Sequence, residues 1–127
     1  MTKVLRVDKF REMFLQQEDF MRLLKEHRGF SDWPVDITTK IGQKECRDIG
    51  LNSIEEFFEA LAHLKNWKKH RKSEVQEFDR SAFLEELSDM MHYFVELLLM
   101  LGVTPEEFYR AYTKKGDINE KRIKGDY

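Results

Sequence analysis

Apolar residues recur along this chain with a helical period, and strict alternation never lasts more than a few residues. Phe10, Phe14, Met21 and Leu24 predict a first helix from about Val7 to His27, with Gly29 as its stop. The stretch GFSDWPVDITT breaks the pattern, because Pro34 disfavours helical backbone at the residue before it. A second helix is predicted from Thr38 or Thr39 to about Arg71, with Leu51, Ile54, Phe58 and Leu61 on its apolar face. Gly42 and Gly50 weaken its first half by roughly 1 kcal/mol each relative to alanine. The third helix, capped by Asp79 or Ser81 and ended by Gly102, is the most apolar segment. Phe83, Leu87, Met90, Phe94, Leu97 and Leu101 cover one of its faces, and Leu84, Met91, Val95 and Leu98 another. The fourth has the clearest start: Thr104 as N-cap, Pro105 at the first helical position and Glu107 completing a capping box. Gly116 is expected to end it, leaving residues 116–127 as a polar tail.

Helices joined by short links, with no strand pattern, imply an all-α fold: one domain over residues 1–127, a helical bundle of about four helices. The third helix offers more apolar surface than one small monomer buries. Completion by homo-oligomerisation, as a homodimer or homotetramer, is therefore expected.

Composition narrows the class. At 41% hydrophobic and 36% charged the chain reads as soluble and globular, and its net charge of -2 supplies no field for nucleic acid or an anionic membrane. Cys46 is the single cysteine, which excludes an internal disulfide framework and a thiolate zinc cluster and fits a reducing compartment. Residues 1–20 lack a signal-peptide core, and the longest apolar run, Leu97 to Leu101, is far short of the roughly 20 residues that span a bilayer. A cytoplasmic address is the expectation.

The candidate chemistry lies in carboxylates on the apolar helices. Glu86 and Asp89 are three apart in the third helix, and Glu56 and Glu59 three apart in the second, so each pair shares one helix face. Antiparallel packing of the two helices sets Glu59 opposite Glu86 and Glu56 opposite Asp89. One such pair is more often a solvated stripe; two pairs on the two most apolar helices suggest a shared site. Like charges gathered at low dielectric oppose one another's ionisation, and a divalent cation resolves that conflict. Hard oxygen ligands without thiolate point to Mg²⁺, with Mn²⁺ as a substitute, and so to metal-assisted attack on a phosphoanhydride.

These residues match a known pattern. E-E-x-x-E at Glu55, Glu56 and Glu59, followed by E-x-x-D at Glu86 and Asp89, resembles the signature of the all-α nucleoside triphosphate pyrophosphohydrolases, the MazG-like and dimeric dUTPase superfamily. The segment AYTKKGDINEKRIKGDY resembles the C-terminal part of the phage and bacterial dimeric-type dUTPases, with Tyr112, Lys115, Asn119, Arg122 and Tyr127 in register, and DMMHYF after Asp89 is similar to their D-x-x-H-F. The resemblance covers roughly Asp36 to Tyr127 and implies Mg²⁺-dependent hydrolysis of a deoxynucleoside triphosphate, dUTP first, to dNMP and pyrophosphate. It implies that Glu56, Glu59, Glu86 and Asp89 hold the metal and that Glu56, with Glu55 beside it, orients or deprotonates the attacking water. Lys115, Asn119 and Arg122 would contact phosphate, with Tyr112 beside them, as the tail closes over it. The link between the second and third helices is shorter than in many dimeric dUTPases, so dCTP and purine dNTPs stay open as substrates.

Other residues fit the same frame. His63, one turn after Glu59, lies on the carboxylate face, and Asn52 and Tyr93 on the metal-facing stripes are candidate base or sugar contacts. Trp67 could stack on a base, and Trp33 is placed near the base in the nucleotide pocket. The cationic run Lys65 to Lys72 either answers the second helix's C-terminal dipole or rims the triphosphate. His92 reads as a core histidine. A di-iron bundle wants two E-x-x-H motifs and is disfavoured; a non-catalytic helical scaffold is the remaining alternative.

Overall fold

A computed structural model describes residues 7–125, and among these it contains helices and no strand. The order is α1 (Lys9–Arg28), α2 (Lys40–Leu61), α3 (Arg80–Met100) and α4 (Pro105–Ile123). Each helix begins on a side chain that accepts one of its free amides. Asp8 accepts from Arg11 N at 3.1 Å, Thr39 from Gly42 N at 3.0 Å, Asp79 from Ala82 N at 3.0 Å, and Thr104 from Glu107 N at 3.1 Å. A cap of this kind contributes about 1 kcal/mol. Gly29 follows α1 at a left-handed φ of 69°, as its place in the sequence predicts.

Two helix ends differ from expectation. α2 stops at Leu61 instead of Arg71, and residues 62–79 run without regular helix. Continued as helix, Lys65, Lys68, Lys69, Arg71 and Lys72 would set like charges three and four apart, with few apolar neighbours to bury. α4, in turn, passes straight through Gly116 to Ile123, and the left-handed glycine that follows it is Gly125, at φ 77°. A glycine inside a helix costs only about 1 kcal/mol. Strong helix formers around it, and the Lys124 to Glu120 ion pair at 2.7 Å, outweigh that cost. The expected polar tail is thus mostly helix; Tyr127 lies outside the described residues.

α3 is the centre of the bundle. Its Val95 and Leu98 pack with Phe14 of α1, surrounded by Phe10, Met91, Phe94 and Phe108. Toward its C-terminal end Met100 packs with Met21 of α1 and Cys46 of α2, beneath Trp33 and Val35 of the connecting loop. α2 lies along α3 through small residues: Cys46 packs with Met100, Gly50 faces Leu97 and Ser53 bonds Met90, while the buried Gly42 sits against the Asp36 turn. The face of α2 expected to be core, Leu51, Ile54, Phe58 and Leu61, instead points outward, and Phe58 is 66% exposed. Small residues win the α3 contact because they let the two backbones approach closely. α4 packs mainly on α1, through Phe108 against Phe10 and an Arg11 to Glu106 ion pair, and Phe108 also meets Phe94 of α3 at 5.5 Å. Beyond Phe108 every described residue of α4 is exposed, and the helix leaves α3 at 108°. No single described helix is long and apolar enough to cross a membrane.

Gly42 provides a test of this packing. A Cβ there would collide with the backbone carbonyl of Asp36. Helix propensity alone predicts that Gly42→Ala stabilises by about 1 kcal/mol; the collision predicts a loss of about 1–3 kcal/mol. Urea denaturation should show the loss, and a gain would mean that the Asp36 to Thr39 turn is not held as described.

Candidate metal and nucleotide site

The close contact of α2 with α3 brings acidic side chains together. Ser53 donates from Oγ to the Met90 carbonyl at 3.0 Å, which helps set the register one turn from Glu56 and Asp89. In that register, carboxylate oxygens of Glu56, Glu86 and Asp89 lie within 4.8 Å of one another. Glu56 and Glu86 are half-buried and Asp89 is exposed. Glu59 stands at the edge of this triad and not inside it, near enough to Glu56 and Glu86 to raise the carboxyls of both. The expected opposition of Glu59 to Glu86 is therefore present, while Glu56 meets both α3 carboxylates. Glu55 is exposed beside them.

The electrostatics carry the marks of crowded like charge. The Glu56 carboxyl is held above its ordinary pKa by burial first, then by Glu59, Asp89 and Glu86. Glu86 is raised by burial and then chiefly by Glu59 and Asp89, and of the charges acting on it only His63 favours ionisation. A divalent cation suits this donor set: three convergent carboxylates, a fourth at the edge, no sulfur ligand, and solvent access through Asp89. Tyr93, one turn beyond Asp89, has its phenol pushed up by burial and then by Glu56, Glu96, Asp89 and Glu55, so it borders the cluster. Half-buried Asn52 lies one turn before Glu56 on α2.

Other expected site residues fall elsewhere. Trp33 packs against Phe30 and the Met21, Cys46 and Met100 cluster. Met100 is eleven positions past Asp89, about 16 Å along the helix, so Trp33 is not near a base held at the carboxylates. Tyr112, Lys115, Asn119 and Arg122 are exposed on α4, which makes no contact with α2, so one chain does not bring them to its own triad. The reason is the turn at Gly102 to Thr104, which sends α4 across α1. The basic run lies beyond the end of α2, which removes the helix-dipole reading; it forms an exposed segment with Lys68 Nζ 5.3 Å from the Trp67 ring centre. His92 is exposed and not core.

Two features escape a reading from spacing. Glu96 is 95% buried, its relative exposure being 5%, and burial alone pushes its carboxyl up to about 7. Its signal was a lone carboxylate in YFVELLLM, seven positions from Asp89. The second is a cavity of about 320 Å³ at the end of α2, lined by His63, Leu64, Lys65, Asn66, Trp67 and the returning residues Val75 to Phe78. It had no signal, since it depends on an irregular segment folding back on itself. Comparison of the chain with protein-family models, with curated proteins and with solved structures finds no match.

Proposed function

We propose that this chain is a Mg²⁺-dependent nucleoside triphosphate pyrophosphohydrolase that converts a deoxynucleoside triphosphate, dUTP first, to dNMP and pyrophosphate. The observation that carries the reading is the convergence of Glu56, Glu86 and Asp89 from two helices within 4.8 Å, with Glu59 at the edge. Mg²⁺ bound there would offset the carboxylate repulsion and the charge of the phosphates. Water adds to the α-phosphorus, the bond to the α–β bridging oxygen breaks, and pyrophosphate leaves. Glu56, as the carboxylate, takes the proton of that water or orients it. Incubation with each common dNTP and dUTP, with Mg²⁺ or Mn²⁺, should yield dNMP and pyrophosphate in equal amounts. Release of dNDP and inorganic phosphate, or no turnover of any of them, would overturn the reading.

The reading includes a homo-oligomer. Exposed Leu51, Ile54, Phe57, Phe58 and Leu61 form an apolar face on α2, larger than a monomer of this size leaves to water without use. A second copy covering that face would also give Lys115, Asn119 and Arg122 of a projecting α4 a phosphate to contact, which their own chain does not. Static light scattering at micromolar concentration should show a dimer or tetramer; a stable monomer would refute this part.

A further inference from the structure

We propose that the cavity at the end of α2 is the nucleoside pocket of the substrate, shaped for a pyrimidine and selective for a base that presents a ring carbonyl. The inference rests on the hydrolase reading for its substrate class and on independent geometry for its place. His63 lines the cavity and stands four positions after Glu59 at the end of α2, so the space adjoins the carboxylate cluster. An aromatic chain continues the link: His63 lies 6.5 Å from Phe83, and Phe83 lies 5.1 Å from Phe78 in the cavity wall. Phe83 is one turn before Glu86, so a nucleotide with its phosphates at the triad has its nucleoside end beside this wall.

Volume and chemistry match that occupant. At about 320 Å³ the space sits at the small end of ligand pockets, which run from about 300 to 1,000 Å³. Leu64 and Phe78 provide an apolar wall, and Val75 and Trp67 stand at the exposed rim, the Trp67 ring with Lys68 Nζ 5.3 Å from its centre, where an aromatic and a cation suit a stacked base. Asn66 sets the selectivity. Its Oδ1 accepts from Gln76 N at 3.0 Å, which fixes the amide's orientation and leaves Nδ2, with two donors, unmatched by any described residue. Two donors at the wall call for a carbonyl acceptor. Uracil, thymine, cytosine and guanine all present at least one and adenine does not, so the donors exclude adenine and the small volume favours the pyrimidines.

Isothermal titration of the full chain with dUMP and with dAMP, in Mg²⁺, tests the proposal. Binding of dUMP should exceed that of dAMP by at least about tenfold. Val75 stands at the rim and is 81% exposed, so Val75→Trp should leave the bundle folded while obstructing the mouth of the cavity, and it should weaken dUMP by at least about tenfold. Asn66→Asp keeps an acceptor for Gln76 N but removes both donors, and should abolish the preference for dUMP over dAMP. Both variants should keep the wild-type rise in Tm with Mg²⁺ alone. Unchanged dUMP affinity in Val75→Trp, or equal binding of dUMP and dAMP by the wild type, would overturn the pocket. Wild-type KM for a hydrolysed dNTP in Val75→Trp would sink the pocket and spare the hydrolase; nucleotide binding lost in Val75→Trp with no dNTP hydrolysed by the wild type would do the reverse.

Discussion

Glu86→Gln and Asp89→Asn should each lower Mg²⁺-dependent kcat/KM by about 10³-fold or more, the scale of losing ~4 kcal/mol of transition-state stabilisation. Each substitution removes a carboxylate from a triad whose oxygens lie within 4.8 Å, and each keeps the side chain's shape. Stability separates this from simple misfolding. Without metal the variants should be at least as stable as the wild type, because Asp89 and Glu59 raise the Glu86 carboxyl by repulsion that either change relieves. With Mg²⁺ the wild type should gain about 2.7 kcal/mol at a concentration a hundred times its Kd, and the variants much less. Thermal denaturation with and without Mg²⁺ measures both arms. Near wild-type turnover in both variants would remove the triad from the chemistry, and an equal Mg²⁺ response would remove it from metal binding.

Glu96 leads to a pH prediction of comparable size. Its carboxyl stands at about 7 in the folded chain, against an ordinary 4.5, because burial penalises its charged form. Below the ordinary value both folded and unfolded chains hold the proton, and Glu96 costs nothing. Between about 4.5 and 7 the unfolded chain releases it while the folded chain retains it, so stability falls as pH rises. Above about 7 the loss is complete, on the order of 3 kcal/mol. Glu96→Gln cannot ionise. It should be more stable than the wild type at pH 8, with a smaller difference at pH 5, in guanidinium titrations. The raised carboxyls of Glu56 and Glu86 give a loss of the same sign, but Mg²⁺ should cancel theirs and leave that of Glu96. A wild-type pH dependence persisting in Glu96→Gln would show that the buried carboxyl finds a partner in solution.

Features that depend on neighbours in sequence were legible from it. The caps at Thr39, Asp79 and Thr104 are contacts over three residues, and the glycine at 29 answers a local backbone demand. The i, i+3 spacing of Glu56 with Glu59 and of Glu86 with Asp89 likewise places each pair on one face by helix geometry alone. That residues 62–71 leave the helix while Gly116 stays in one was not legible, because each outcome balances a propensity of about 1 kcal/mol against burial and charge. Which face of α2 meets α3 was decided by how closely two helices can approach, so Cys46, Gly50 and Ser53 face α3 and Ile54 and Phe58 do not. That choice of face is what brings Glu56 to both α3 carboxylates and sets Glu59 at the edge. The direction of α4, which carries Lys115 and Arg122 away from their own triad, and the cavity closed by Asn66 and Gln76 were likewise decided only in three dimensions. The sequence by itself determined local periods and caps, whose energies come from residues a few positions apart; the site's final membership needed the tertiary structure, since packing between distant segments selects one relative placement from many that the same local patterns permit.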